Sequence, residues 1–336
     1  PGLLYAGTET GAYVSFDAGD SWQSLQRNLP PVMVMQMLVK DDDLVVATHG
    51  RGFWIMDNIS SLRAITPEVA SSPVHLFGVA PALRQPRGGG GWRGAADAAR
   101  NPPRGVMIEY YLAQEPADEL TLTILDLGGE VIQQFSSILE GAPNPATRAG
   151  MNRFFWDMRY PGTEMPPSAG VLNTFKSVDY SPPSPPIAPP GRYVVRLSVN
   201  GQAYEQPFEI RKDPRVKASD TDLRAQFELM VEIRDLFSEV ADTVMRVRDV
   251  RAQVELRRPE LTEESGGEAS GILEQLAEIE GILTIWMGSE AHPMMWGRPG
   301  LTEKLSSLSS AVGAAEARPT ESMYAVFEEL SERLEI

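Results

Sequence analysis

Residues 15–22 read SFDAGDSW, and this short stretch decides the fold of the sequence around it. It follows an apolar run of β type, so it predicts a tight polar turn between two strands. Asp17 can accept hydrogen bonds from backbone amides within the turn, as aspartate commonly does. Gly19 can adopt the positive φ that such a turn requires. Trp22 leads back into the sheet, where its large side chain is expected to pack between strands.

The sequence on both sides of this turn is a succession of short β-type runs. Apolar runs at residues 3–7, 11–16, 34–39, 44–48 and 52–56 are separated by turns rich in Gly and Asp. Runs this short and this closely spaced predict antiparallel sheet. Their number within about 60 residues fits one four-stranded blade of a β-propeller and part of the next.

The turn also matches a known motif. The pattern S-x-D-x-G-x-[ST]-W, the Asp-box, is present at every defined position: Ser15, Asp17, Gly19, Ser21 and Trp22. Together with the stretch LVVATHGRGFWIMDNI at 44–59, it resembles the closing blade of bacterial BNR-repeat propeller proteins. These proteins are sortilin-like and are often labelled glycosyl hydrolases or exo-sialidases. The resemblance extends over most of the chain and is most specific at 15–22 and 47–57. It implies the C-terminal part of a secreted, periplasmic or cell-surface protein.

Three groups of polar residues near the turn need a functional interpretation. We expect the Asp-box side chains to be structural, because the turn itself uses them. His49 and Arg51 lie in a Gly-rich loop and are candidate contacts with a ligand in the propeller channel. The alternative is a plain hairpin turn in which Arg51 pairs with a neighbouring blade. Asp41-Asp42-Asp43 is expected to be a solvated hairpin tip, since adjacent carboxylates on a turn point in different directions.

The middle of the chain changes in composition. We assign residues 1–80 to the last blade or blades, and 81–104, with four glycines at 88–91, to a flexible linker. Residues 105–211 contain about seven short alternating strands, which predict an Ig-like or fibronectin-like β-sandwich with Trp156 in its core. The proline-rich stretch at 181–190 favours a stiff polyproline II surface loop, or a segment that docks into a partner's groove.

Residues 217–336 are predicted to be helical. Ser219 and Asp222 form a capping box. Apolar residues then recur every three or four positions, which predicts one long amphipathic helix that ends near Arg257. A single apolar stripe on each helix indicates an antiparallel helical bundle. Further helices are expected after Gly266-Gly267, from about Leu301 and after Thr320.

Composition excludes several classes of protein. The chain has 30 basic and 46 acidic residues, a net charge of −16, and residues 259–336 hold 4 basic and 15 acidic residues, a net of −11. Such acidity argues against nucleic acid as a partner. It indicates a solvated bundle face, or a surface for a basic partner or a divalent cation. The absence of cysteine excludes disulfides, thiolate zinc sites and cysteine nucleophiles. No apolar run is long enough to span a membrane.

The sequence assigns no catalytic residue, metal site or cofactor. His49, His75 and His292 lie in three different segments, without metal-ligand spacing. No G-x-S-x-G motif is present, and no arrangement of carboxylates typical of a glycosidase is recognisable. The fold class we expect is therefore multidomain β plus α: terminal propeller blades, an Ig-like sandwich and a C-terminal antiparallel helical bundle.

The function we expect is binding without catalysis. The full propeller would bind a protein, a peptide or a glycan, and the helical domain offers a surface for oligomerisation. One alternative is an accessory part of a glycoside hydrolase whose active site lies in upstream blades. Another is a purely architectural module. The first residue is Pro1 rather than Met, so we also expect the chain to be a piece of a longer or processed protein.

Overall fold

The chain is a mixed β and α protein with several sheets, one of them a curled half-barrel, and a C-terminal helical region. The computed structural model describes residues 2–85, 103–139, 143–164, 182–284 and 299–334. The glycine run at 88–91, Trp286 and His292 lie outside these ranges.

Two small antiparallel sheets form the N-terminal part. Each has three strands where the sequence predicts a four-stranded blade. Alternation along β5 points Leu44 and Val46 into a shared core with Ala12 and Ile59, and each of these four side chains is less than a tenth exposed. Two short helices follow, α1 (Ser60–Arg63) and α2 (Pro67–Ser71). The first sheet contains β1 (Leu4–Gly7), β2 (Ala12–Ser15) and β3 (Gln23–Ser24), and the second β4 (Val34–Lys40), β5 (Asp43–Thr48) and β6 (Phe53–Met56).

Two further sheets follow, one of five strands and one of three. One has the order β11-β10-β13-β14-β8 and the other β12-β9-β7. Trp156 is fully buried, with its ring centroid 6.1 Å from those of Tyr193 and Phe208, which confirms its predicted core role. Strand β7 comes from the predicted blade region and β8 from the predicted linker. The strands are β7 (Val74–Leu76), β8 (Ala82–Arg84), β9 (Val106–Leu112), β10 (Thr121–Leu125), β11 (Val131–Ser136), β12 (Gly150–Trp156), β13 (Gly191–Val199) and β14 (Gln202–Lys212).

By its internal contacts the chain divides into two compact units. The first contains the N-terminal sheets and most of the strands of the two sheets that follow them. The second contains the proline-rich segment and all the long helices. Their ranges are 1–82, 90–157 and 192–209 for the first unit, and 83–89, 158–191 and 210–336 for the second.

The long helix α3 (Asp220–Arg257) begins as the sequence predicts. The Ser219 hydroxyl accepts the amide N–H of Asp222 at 3.1 Å, and the Asp222 carboxylate accepts the amide N–H of Ser219 at 3.0 Å. With 38 residues at 1.5 Å each, α3 is about 57 Å long. A 3₁₀ turn follows it, and three further helices pack around the buried face that contains Phe237. These are α4 (Glu263–Leu283), α5 (Leu301–Val312) and α6 (Glu321–Glu332).

The prediction that Gly266-Gly267 precedes the second helix is wrong, because α4 already begins at Glu263. The Thr262 hydroxyl accepts the amide N–H of Ser265 at 3.4 Å and caps the helix, and two glutamates occupy its first turn. A cap contributes about 1 kcal/mol and a favourable dipole contact about 0.3–1 kcal/mol, which offset part of the penalty of about 1 kcal/mol for each glycine in the helix.

The proline-rich segment is more buried than the surface loop that the sequence predicts. Pro186 accepts a hydrogen bond from the amide of Tyr160 at 2.9 Å, and the amide of Ala188 donates to Met158 at 2.7 Å. Ala188 is fully buried. The segment therefore pairs with residues 158–160 through its backbone, which an extended proline-rich chain can do only where a residue other than proline supplies the N–H.

Within the described residues, no helix has the length and apolar character needed to cross a membrane.

Candidate binding cleft

The Asp-box forms a closed network of hydrogen bonds. The Ser15 hydroxyl donates to Asp17 Oδ1 at 2.7 Å, while the amide and hydroxyl of Ser21 donate to Asp17 Oδ1 and Oδ2 at 2.9 and 2.5 Å. The hydrogen bonds from Ser21, and then that from Ser15, lower the pKa of Asp17 to about 2. The carboxylate is thus held ionised within the turn, and both of its oxygens are used there.

The two remaining Asp-box positions complete the turn. Gly19 has a φ of +104°, which only glycine adopts without strain. The indole N–H of Trp22 donates to the Gly19 carbonyl at 3.0 Å, and 43% of the residue stays exposed. Trp22 therefore covers the turn instead of packing between strands. The reason is that β3, which follows it, is a two-residue edge strand with both residues exposed.

His49 and Arg51 lie in the exposed hairpin that joins β5 and β6. The Thr48 hydroxyl donates to the Gly52 carbonyl at 2.7 Å, and the indole N–H of Trp54 donates to the Arg51 carbonyl at 3.1 Å. Positive φ values at both glycines, residues 50 and 52, close the turn. The imidazole and guanidinium groups do not line the cavity described below, which opens elsewhere on the same unit.

The three consecutive aspartates at the β4–β5 hairpin have separate partners. Lys40 pairs with Asp41 at 2.5 Å, and Arg63 pairs with Asp42 at 2.6 Å. The Asp43 carboxylate accepts the amide N–H of Asn58 at 2.9 Å. These carboxylates therefore diverge, as expected for a hairpin tip. Over the whole described part of the chain, no three side chains of His, Cys, Asp or Glu are grouped so as to hold a metal ion.

A cleft of about 260 Å³ opens into the first unit beside the two small sheets. Its floor is apolar, and its mouth carries polar and aromatic side chains. Arg27 at the mouth is exposed and has a φ of +43°, while Trp54 and Asp57 are half-buried. The floor consists of Ala12, Leu29, Leu44 and Val46, and the mouth includes Gln26, Arg27, Asn28, Trp54, Asp57 and Arg153.

Arg153, at the mouth of the cleft, is held in place by the buried carboxylate of Glu109. Its Nε and Nη2 atoms donate to Glu109 Oε1 at 2.9 and 2.7 Å, and Nη2 also donates to the Asp57 carbonyl at 3.0 Å. The side-chain amide of Asn58 donates to Glu109 Oε2 at 3.3 Å. Glu109 is directly opposite Arg153 in the β9–β12 register, and its side chain is 8% exposed. The cluster ties the end of β6 to two strands of the β12-β9-β7 sheet.

The sequence interpretation missed this cluster. Its only signal is a charged residue within each of two otherwise apolar strands, Glu109 in VMIEYYL and Arg153 in GMNRFFW. A charge in such a position is rarely buried unless it is paired. That rule could have predicted a partner for each residue, but only the strand register shows that they are partners of each other.

Asp57 gives the cleft a titratable group. Burial raises its pKa above the ordinary value, the nearby charge of Asp43 raises it further, and Arg153 opposes both effects. The cleft therefore combines guanidinium donors, a carboxyl group, side-chain amides and an indole ring above an apolar floor. Polar groups that converge on one cleft are a feature of ligand-binding sites.

Neither protein-family models nor curated proteins give a match for this chain.

Proposed function

We propose that this chain is the non-catalytic C-terminal region of a secreted, sortilin-like propeller protein that binds a protein, a peptide or a glycan. The observation that carries the proposal is the cleft in the first unit, with an apolar floor and Arg27, Trp54, Asp57 and Arg153 at its mouth. Peptides and glycans present hydrogen-bond donors and acceptors beside apolar surfaces, and these side chains complement both.

The propeller part of the proposal has separate support from the outer face of the β4–β5–β6 sheet. Leu38, Val45 and Ile55 lie side by side across the three strands, and Phe53 lies beside them on β6. Leu38 is 55% exposed, Ile55 59% and Phe53 79%. A contiguous apolar surface of this kind marks an interaction site, and sheets pack face to face through such surfaces. The face suits packing on a neighbouring blade.

The cleft is also held in a fixed shape, which favours binding. The Glu109 carboxylate fixes the guanidinium of Arg153, and the Arg153 side chain donates to the backbone carbonyl of Asp57. Groups that are fixed before the ligand arrives lose less conformational entropy on binding. The same arrangement would orient a ligand without any chemical step.

The test is binding of the purified chain to immobilised glycans of defined structure and to immobilised random-sequence hexapeptides. We expect retention of at least one class of probe. The double variant Arg27→Ala with Asp57→Asn should weaken that binding about tenfold or more, equivalent to about 1.4 kcal/mol. The matched control is Arg246→Ala, an exposed arginine on α3 in the other unit.

Two outcomes would contradict the proposal. Binding that the double variant leaves unchanged would move the ligand away from this cleft. Release of a fluorophore from sialosides or other glycosides by the chain alone would show catalysis instead.

A further inference from the structure

Helices α3 and α4 form an antiparallel hairpin, since only the five residues 258–262 connect them. Two arginines of α3 hold the hairpin closed. The Glu280 carboxylate, on α4, accepts the Nε–H of Arg248 at 2.6 Å and pairs with Nη1 of Arg251 at 3.4 Å. After Val247, α3 has no buried residue. The tip of the hairpin therefore projects beyond the buried core of the helical region.

The outer side of α4 is apolar although it is exposed. Ile272, Ile279 and Ile282 are 46%, 44% and 53% exposed, and their spacings of seven and three are those of the a and d positions in a coiled coil. Another side of α4 is already buried, with Ala269 and Leu283 less than a tenth exposed. A surface helix of a globular protein has one apolar stripe and is polar elsewhere. The three isoleucines are a second stripe, which indicates a second packing partner.

The charges on α4 are all negative. The helix contains six glutamates and no lysine or arginine. Glu268 lies one turn before Ile272 on the same side, is exposed, and has no ion-pair partner in the described part of the chain. Packing this side of α4 on the same side of another α4 would bring carboxylates together, which like-charge repulsion opposes. The partner surface must therefore carry cations beside apolar residues.

One outer side of α3 has that character and lies beside the stripe. Arg251 and Glu280 mark the sides on which the two helices meet. Val250 precedes the first by one position, and Ile279 precedes the second. One position is about 100° around a helix, and because the helices run in opposite directions both preceding residues lie on the same side of the hairpin. Val250 is 45% exposed, and the exposed Arg257 follows it by seven positions on the same face of α3.

The cation and the carboxylate lie at the same level of the hairpin. Arg258 donates to the Ser270 hydroxyl at 3.3 Å, and these two residues come just after Arg257 and Glu268 in their helices. The hairpin face, as we call it, thus consists of a basic side on α3 and an acidic side on α4 with isoleucines along it. Its members are Val250, Arg257, Glu268, Ile272, Ile279 and Ile282.

We propose that the hairpin face binds the same face of a second copy of this chain, so that the two hairpins form a four-helix bundle. The α3 helix of each copy lies against α4 of the other, which sets Arg257 opposite Glu268 of the second copy. A two-fold axis parallel to the helices produces this arrangement, and it makes the contact self-complementary. The other two-fold arrangement sets α4 on α4 and is opposed by its charges. The interface does not depend on the cleft or on the function proposed for it.

The size of the face indicates a weak and reversible dimer. With 21 residues α4 is about 32 Å long, and two helices side by side are about 20 Å wide, so the face covers about 600 Å² on each copy. The total of about 1,200 Å² lies at the lower end of the range for specific interfaces. We therefore expect a dissociation constant in the micromolar range.

The first test is sedimentation equilibrium of the whole chain between about 1 and 200 µM. The weight-average mass should rise with concentration from that of one chain toward that of two. The double variant Ile272→Gln with Ile279→Gln should stay at the mass of one chain, while its circular dichroism remains that of the parent. The matched control is Leu256→Gln, an exposed apolar residue on another side of α3, which should leave association unchanged. A single-chain mass of the parent at every concentration, or unchanged association of the double variant, would overturn the proposal.

The second test exchanges charges between the two helices. Glu268→Lys and Arg257→Glu should each weaken self-association about tenfold, because each replaces two ion pairs of the dimer with two like-charge contacts. An equimolar mixture of the two variants should associate about as strongly as the parent chain, since opposite charges then face each other again. A mixture that associates no better than either variant alone would overturn the packing of α3 on α4 of the second copy.

Discussion

The arginine–glutamate pair Arg153–Glu109 in the first unit and the pair Arg84–Glu316 in the second have different surroundings. Glu109 and Arg153 are opposite each other on adjacent strands, and both carboxylate oxygens accept hydrogen bonds. Glu316 lies instead in the irregular loop after α5, and it pairs with an arginine 232 residues away in the sequence. The first pair is part of a sheet and keeps a cleft in shape. The second joins that loop to Arg84 at the end of β8.

Breaking the first pair should produce the largest effect. Arg153→Met leaves Glu109 buried without its cation, and loss of one partner of a buried pair lowers stability by about 3–5 kcal/mol. Urea unfolding followed by tryptophan fluorescence measures this change. The matched control is the double variant Arg153→Met with Glu109→Leu, which should recover most of the stability. A single variant as stable as the parent chain would show that the pair does not hold the sheet.

Breaking the second pair should have a smaller and pH-dependent effect. Arg84→Met removes the charge that opposes the burial of Glu316, so the pKa of Glu316 rises further in the variant. A group whose folded pKa is raised destabilises the fold as pH increases from its ordinary value of 4.5 through the folded value. The penalty should be about 1–3 kcal/mol at pH 8 and should shrink toward pH 5. Urea unfolding at both pH values tests this, and a penalty independent of pH would contradict it.

The Asp-box provides a third carboxylate for comparison, with the smallest expected effect. Its lowered pKa means that the stabilising contribution of Asp17 is present above the ordinary value of 3.8 and is lost as pH falls toward about 2. Asp17→Asn should therefore lower the urea midpoint above pH 4, and the difference from the parent chain should vanish near pH 2. Asn is the matched substitution because it keeps the side chain's shape. A difference that persists at pH 2 would mean that packing, and not ionisation, is responsible.

The elements that the sequence predicts well are those held by hydrogen bonds between residues close to each other in the sequence. The capping box depends on two residues, Ser219 and Asp222, that are three positions apart. The turn of residues 15–22 closes its hydrogen bonds within itself, although Trp22 lies differently from its prediction because the next strand is short. The propeller and the Ig-like sandwich stay predictions.

Neither ion pair could be derived in this way. The partners Glu109 and Arg153 are 44 residues apart, and nothing in the sequence fixes the register that makes them neighbours. Arg84 and Glu316 are 232 residues apart. Charged residues within apolar runs were the only warning of either pair.

Hydrogen exchange measured by mass spectrometry tests most directly the claim that the first pair belongs to a rigid sheet and the second to an irregular loop. Amides of β9 and β12 should be well protected, because strands within a packed sheet open only rarely. Amides of the loop at 313–319 should exchange faster than these strands. Protection of that loop equal to that of β9 and β12 would contradict the account.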